Sequence, residues 1–219
     1  VFYFSGHGYN TTDTSGEEPD NLDEGIWVGE LGNEKVSDDM LYAEFKKFEN
    51  KPKVGLILIF DSCHSGGMVD GTSDLQNIKN PHAILMACER NEKAKEYKFD
   101  EVWHGAYTYY LLEGLNGTDG TTKADKETGN NNKITTPSEL HAYAKPKTET
   151  KTSSKQHPTK ETKSCYKWPC TWIDFPYIPS EYAWRFWDGK PGSGQPQDGH
   201  YQAGEEFKLI FYGRVDHAW

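Results

Sequence analysis

The chain has 219 residues, with 24 Lys and Arg against 34 Asp and Glu, a formal charge of −10 and a pI near 5.3. That length suits one large domain, or one domain with a small appendage, around a substantial core. The acidic balance argues against nucleic acid and anionic membranes as partners and favours partners with basic side chains; no apolar run nears the roughly 20 residues of a spanning helix.

VFYF at 1–4 reads as a strand with neither an initiator methionine nor another element before it, so the chain is expected to be an internal piece of a longer protein. The polar stretch after it holds a short extended piece, IWVG at 26–29. A helix is predicted from Asp38 to Phe48, with Ser37 as cap, two aspartates at the positive end, and Leu41, Phe45 and Phe48 in one stripe. VGLILIF at 54–60 and AILMAC at 83–88 are apolar on both faces, as central strands of a mainly parallel sheet covered by helices must be. The alternation is α/β, and strand VFYF is expected to expose an apolar edge.

A second helix is predicted from Gly105 to Leu115, with Tyr107, Tyr110, Leu111 and Leu115 on one face, and a third begins in TTPSEL, where Thr136, Pro137 and Glu139 form a capping box. Between them TDGTTKADKETGNNNKIT imitates a calcium loop, but it puts Gly129 and Asn132 at the wrong loop positions and reads as a solvated loop. KPKTETKTSSKQHPTKETK is polar and of low complexity, and is expected to be a linker or surface loop. The domain predicted over 1–164 is followed over 165–219 by a Trp-rich, β-rich appendage with one clear strand, FKLIFY at 207–212. Its aromatics read as a compact core ahead of a carbohydrate-binding platform, because Trp so often simply packs.

The four cysteines form no CxxC pair and no disulfide framework, which leaves the compartment open with the reducing cytoplasm slightly ahead. Cys88 lies in an apolar strand and reads as an inert core residue; Cys165 and Cys170 flank YKWP and either bridge or stay free. Cys63 differs, because LILIFDSCHSGG delivers it from a buried strand to a polar, Gly-rich tip. A thiol attacks as thiolate, and a nearby imidazole is the usual way to obtain one. His64 is a poor partner, since neighbours at a strand end point to opposite sides. His7 in FYFSGHG is the better one: it too follows an apolar strand, and the two strand ends would meet at the carboxyl edge of one sheet. Asp61, two residues before the thiol, shares its strand face and would receive a cationic substrate side chain there, or else caps the turn.

FYFSGHG followed by LIFDSCHSGG resembles the caspase-like cysteine peptidases, and the SGHG and DSCHSG forms look most like metacaspases and their prokaryotic relatives. The likeness extends through AILMACERNEKA and GAYTYYLLEGL to KQHP. It implies a three-layer caspase-like sandwich and a cysteine endopeptidase. His7 would be the general acid/base, Cys63 the nucleophile, and the amides of Gly8 and Cys63 the oxyanion hole. Ser5 and Asp61 would line a pocket for arginine or lysine before the cut, so the expected partners are proteins or peptides with basic residues. Asp23, Asp38, Asp39 and Asp70 match, within one residue in the loop, the acidic positions of calcium-dependent members. Calcium activation and plain helix-start chemistry both stay open for them, and zinc fits less well because His7, Cys63 and His64 lack paired ligand spacing. The rival functions are an inactive scaffold of the same fold, a relative cutting after aspartate, and a metal-binding domain with an incidental thiol.

Overall fold

The computed structural model describes residues 1–163, apart from 17, 29–33, 52–53, 81 and 119–120, together with Ile210–Phe211. The elements in order are β1 (Phe2–Ser5), β2 (Gly8–Thr12), β3 (Leu22–Val28), β4 (Glu34–Ser37), α1 (Asp38–Lys46), β5 (Leu56–Asp61), β6 (His82–Met86), β7 (Glu96–Phe99), β8 (Val102–Gly105), α2 (Ala106–Leu115), β9 (Gly117–Thr118), β10 (Thr121–Thr122), α3 (Lys123–Glu127), α4 (Pro137–Lys151), β11 (Thr159–Lys163) and β12 (Ile210–Phe211). The main sheet runs β11-β6-β5-β1-β12, parallel except for β11. It is an α/β fold with small antiparallel sheets beside the main one, compatible with a caspase-like sandwich.

Strand β5 shows why the sheet has two cores. Leu56, Leu58 and Phe60 point into one cluster with Phe4, Leu41, Leu75 and Met86, while Ile57 and Ile59 point into the other with Tyr107, Leu111, Leu140 and Tyr143. Period-two alternation of wholly apolar residues buries both faces, with α1 on one side and α2 and α4 on the other. Each large side chain so enclosed stabilises the fold by about 1.5–3 kcal/mol.

Three predicted elements form as expected. Ser37 Oγ accepts from the Met40 amide at 3.3 Å at the start of α1, α2 spans ten residues, and Thr136 and Glu139 make the reciprocal bonds of a capping box. The polar tract is not a linker where it is described. Helix α4 continues through Pro146 to Lys151, and Thr159–Lys163 pairs antiparallel with β6. The tract packs because its polar groups satisfy one another: Thr148 donates to the Ala144 carbonyl at 2.9 Å, Thr152 to the Thr148 carbonyl at 2.9 Å, and buried Gln156 to the Ala87 carbonyl at 2.9 Å. The expected open edge of β1 is also paired, through Phe2 with Ile210 and Tyr3 with Phe211. The rest of the Trp-rich segment, with Cys165 and Cys170, lies outside the described residues.

Candidate active site

Parallel pairing of β1 with β5 sets Ser5 opposite Asp61, so His7 and Cys63, each two residues further on, leave the sheet at equivalent places. The Gly6 amide donates to the Asp61 carbonyl at 3.2 Å and the Trp27 amide to the His7 carbonyl at 2.9 Å, which fixes the SGHG turn between β5 and β3. Gly8 lies against the nucleophile turn: a Cβ there would stand 1.9 Å from the Cys63 carbonyl oxygen and 3.1 Å from its nitrogen. His7 is exposed and Cys63 half-buried as a free thiol. The two strand ends that carry the imidazole and the thiol thus lie side by side at one sheet edge, with the Gly8 and Cys63 backbones in close approach.

His64 stands apart. Its φ is 61°, and its Nδ1 bonds to the Arg90 carbonyl at 2.7 Å. Cys88 is fully buried, and burial pushes its thiol up to about 12, as an inert core cysteine should behave.

Asp61 is buried at the end of β5. Its Oδ2 accepts from the Thr108 amide at 2.9 Å and the Thr108 hydroxyl at 2.6 Å, so it caps the start of α2 rather than the turn after its own strand. A Cβ on Gly105 would fall 2.2 Å from that oxygen. Burial raises the Asp61 carboxyl, against the two Thr108 bonds, which lower it. Ser5 is half-buried at the end of β1.

Beside the nucleophile loop, carboxylates converge. Glu18, Asp38 and Asp74 form one group with oxygens within 4.8 Å of one another, and Glu18, Asp20 and Asp70 form a second. Glu24 is fully buried, and neither of its oxygens has a hydrogen-bond partner; Glu18 Oε2, Asp70 Oδ1 and Asp74 Oδ1 are equally unsatisfied. Burial and the neighbouring acids push Glu24 up to about 9 and Asp38 up to about 8. The glycines of SGGMVDG make room for this cluster, since a Cβ on Gly67 would meet Glu24 at 2.3 Å and one on Gly71 would meet Glu18 at 2.0 Å. Arg90 enters from the side, 2.6 Å from Asp70 and 3.5 Å from Asp20. Buried oxygen donors lacking partners are what a hard divalent cation requires, and these residues fit one.

Of the four predicted acidic positions, Asp38 and Asp70 lie in the cluster, while Asp23 on β3 and Asp39 in the first turn of α1 belong to neither converging group. The cluster also holds Glu18, Asp20, Glu24 and Asp74, which the sequence did not single out. In the segment read as a solvated loop, Asp125 accepts from the amides of Asn132 at 3.1 Å and Lys133 at 2.8 Å. Among the described residues no helix is long and apolar enough to cross a membrane.

The model of the metacaspase, peptidase C14 domain matches residues 1–72. Metacaspase-1A of Neurospora crassa is 41% identical over 69 residues, 31% of this chain and 15% of that protein. Metacaspase-1 of Emericella nidulans is 41% identical over 71 residues, 32% of this chain and 17% of that protein. The chain therefore spans under a fifth of the length of these relatives. A solved structure from Geobacter sulfurreducens aligns over 75% of this chain and 66% of its own, with a TM-score of 0.48 and 22% identity. The matched stretch carries both strand ends of the site, and over it the chain is similar to the caspase-like metacaspases of peptidase C14.

Proposed function

We propose that the chain is a cysteine endopeptidase that cleaves peptide bonds after arginine or lysine, with His7 and Cys63 as its dyad. The observation that carries the reading is the in-register pairing of Ser5 with Asp61, which brings the SGHG and DSCH turns together with Gly8 against the Cys63 backbone. His7 takes the Cys63 proton and the sulfur attacks the scissile carbonyl carbon. The resulting oxyanion is held by the Gly8 and Cys63 amides. Collapse expels the amine, protonated by His7, and leaves a thioester. Water, deprotonated by His7, then adds to the thioester carbonyl and the acid departs as the thiol is restored. Asp61, with Ser5 at the same edge, supplies negative charge toward the side chain before the cut.

Glu18, Asp20, Glu24, Asp38, Asp70 and Asp74 would hold a calcium ion, which would neutralise their mutual repulsion and fix the loop after Cys63. The test is turnover of paired fluorogenic peptides carrying arginine or aspartate before the cut, by the protein and its Cys63→Ala variant, with calcium and with chelator. Arginine-selective cleavage lost in the variant supports the reading. A folded protein that cuts neither peptide in either condition overturns it in favour of a scaffold role.

A further inference from the structure

The residue after the proposed nucleophile is held in a conformation that side chains with a Cβ resist. His64 has a φ of 61°. Two carbonyls of one turn keep it there: Glu92 O accepts from the His64 amide at 2.9 Å, and Arg90 O lies 2.7 Å from His64 Nδ1, which must therefore carry its proton. Gly66 packs on the same turn, where a Cβ would stand 2.8 Å from Arg90 N. The orientation of the Cys63 backbone is thus inherited from residues 88–92.

That turn is in turn fixed by one carboxylate. Glu92 Oε2 accepts from the Glu89 amide at 3.2 Å and from the His157 amide at 2.7 Å, while Oε1 pairs with His157 Nδ1 at 2.5 Å. The adjacent Gln156, fully buried, bonds to the Ala87 carbonyl and the Lys95 amide, both at 2.9 Å, and so brackets the turn from outside. The charged groups acting on His157 are Glu92, Glu149 and Glu89, and Lys145 is paired with Glu149 at 2.8 Å. This field favours the imidazolium and hence the tie.

We propose that Glu92 is a positioning residue for Cys63, acting through His64, with His157 as its cationic partner. The proposal rests on Cys63 being the nucleophile. Its Glu92 side chain reaches the 156–157 segment while its carbonyl reaches the nucleophile turn, so loss of the carboxylate frees the backbone that presents the thiol and the Cys63 amide. A displacement of about 1 Å at such a site is enough to cost roughly 10²-fold in rate.

The experiment compares the protein with Glu92→Ala, Glu92→Gln and His157→Ala by peptide kinetics and by the rate of iodoacetamide alkylation at Cys63, read on the Cys63 peptide by mass spectrometry. Glu92→Ala is expected to lower kcat about 10²-fold with little change in KM. Glu92→Gln keeps an acceptor for the two amides and is expected to recover most of that loss. The same order is expected for alkylation. His157→Ala, which spares the His157 amide, is expected to lose roughly fivefold and serves if Glu92→Ala does not fold. Wild-type alkylation rates in the folded Glu92 and His157 variants, or a change in KM alone, overturn the proposal. Absence of peptide turnover by the unaltered protein overturns the peptidase reading instead, and leaves the alkylation rates to decide on Glu92.

Discussion

At position 8 the demand for glycine comes from close approach rather than from backbone conformation. A Cβ would stand 1.9 Å from the Cys63 carbonyl oxygen, far inside contact distance, so Gly8→Ala has to push β2 off the nucleophile turn and carry the Gly8 amide with it. The expected result is a fall in kcat of about 10²-fold in a protein that still unfolds cooperatively, measured by single-turnover acylation alongside circular dichroism. An unchanged acylation rate would remove Gly8 from the oxyanion site. The SGHG and DSCH turns were legible because each is an abrupt polar tip on an apolar strand. The purpose of the later glycines was not, since Gly67 and Gly71 answer to Glu24 and Glu18, more than forty residues away in sequence. Glu24 left a readable trace that went unused: on β3 it sits two residues before Ile26 and so shares its inward face, an acid where an apolar residue belongs.

On the scale of elements, Asp61 joins a strand end to a helix start. Its Oδ2 satisfies the Thr108 amide and hydroxyl near the N-terminus of α2, where a negative charge also meets the helix dipole. Asp61→Ala strands both donors in the interior and is expected to cost about 1–3 kcal/mol in urea unfolding. Asp61→Asn keeps an acceptor and should separate structure from specificity. Because burial raises the folded carboxyl above its unfolded value, the native state binds this proton first, and stability falls as pH rises from the unfolded value through the folded one. Asp61→Asn is therefore expected to flatten that slope and to be at least as stable at neutral pH, while losing preference for arginine. A variant as unstable as Asp61→Ala would show that the charge itself is needed at the helix start. The helices α1, α2 and α4 could be read from caps and stripes, because those signals are local. Beyond Lys145 the signal failed: the threonines and lysines of α4 carry no apolar stripe, and their burial depends on bonds to their own helix and on Lys147 and Lys151 lying over Tyr143 and over Tyr97 and Phe99. The hairpin of β7 and β8 was hidden for a similar reason, since EYKF and VWHG are half-exposed and too short to show a period.

Across the whole molecule, the acidic cluster gathers segments that otherwise share little: the 18–20 loop, β3, the start of α1 and the loop after the nucleophile. A cation bound there would tie all four to the folded state and have no equivalent site in the unfolded chain. Mass action then predicts stabilisation of about 2.7 kcal/mol at a calcium concentration of 100 times Kd, or a rise in Tm of roughly 5–11 °C for a chain of this size. Scanning calorimetry with calcium and with chelator measures it, and coincident transitions would leave the cluster without its ion. Arg90 sharpens the expectation. Its guanidinium already neutralises Asp70 and Asp20, so Arg90→Ala should leave the cluster more negative and bind calcium several-fold more tightly in titration calorimetry. Its carbonyl meanwhile holds His64 Nδ1, so one residue touches both the cluster and the turn carrying Cys63. If calcium moves Arg90 it must move that turn, and calcium should change the alkylation rate of Cys63 in the unaltered protein while changing it less in Arg90→Ala. Equal responses in the two proteins would mean that the cation acts on stability alone and that Arg90 is a bystander to the thiol.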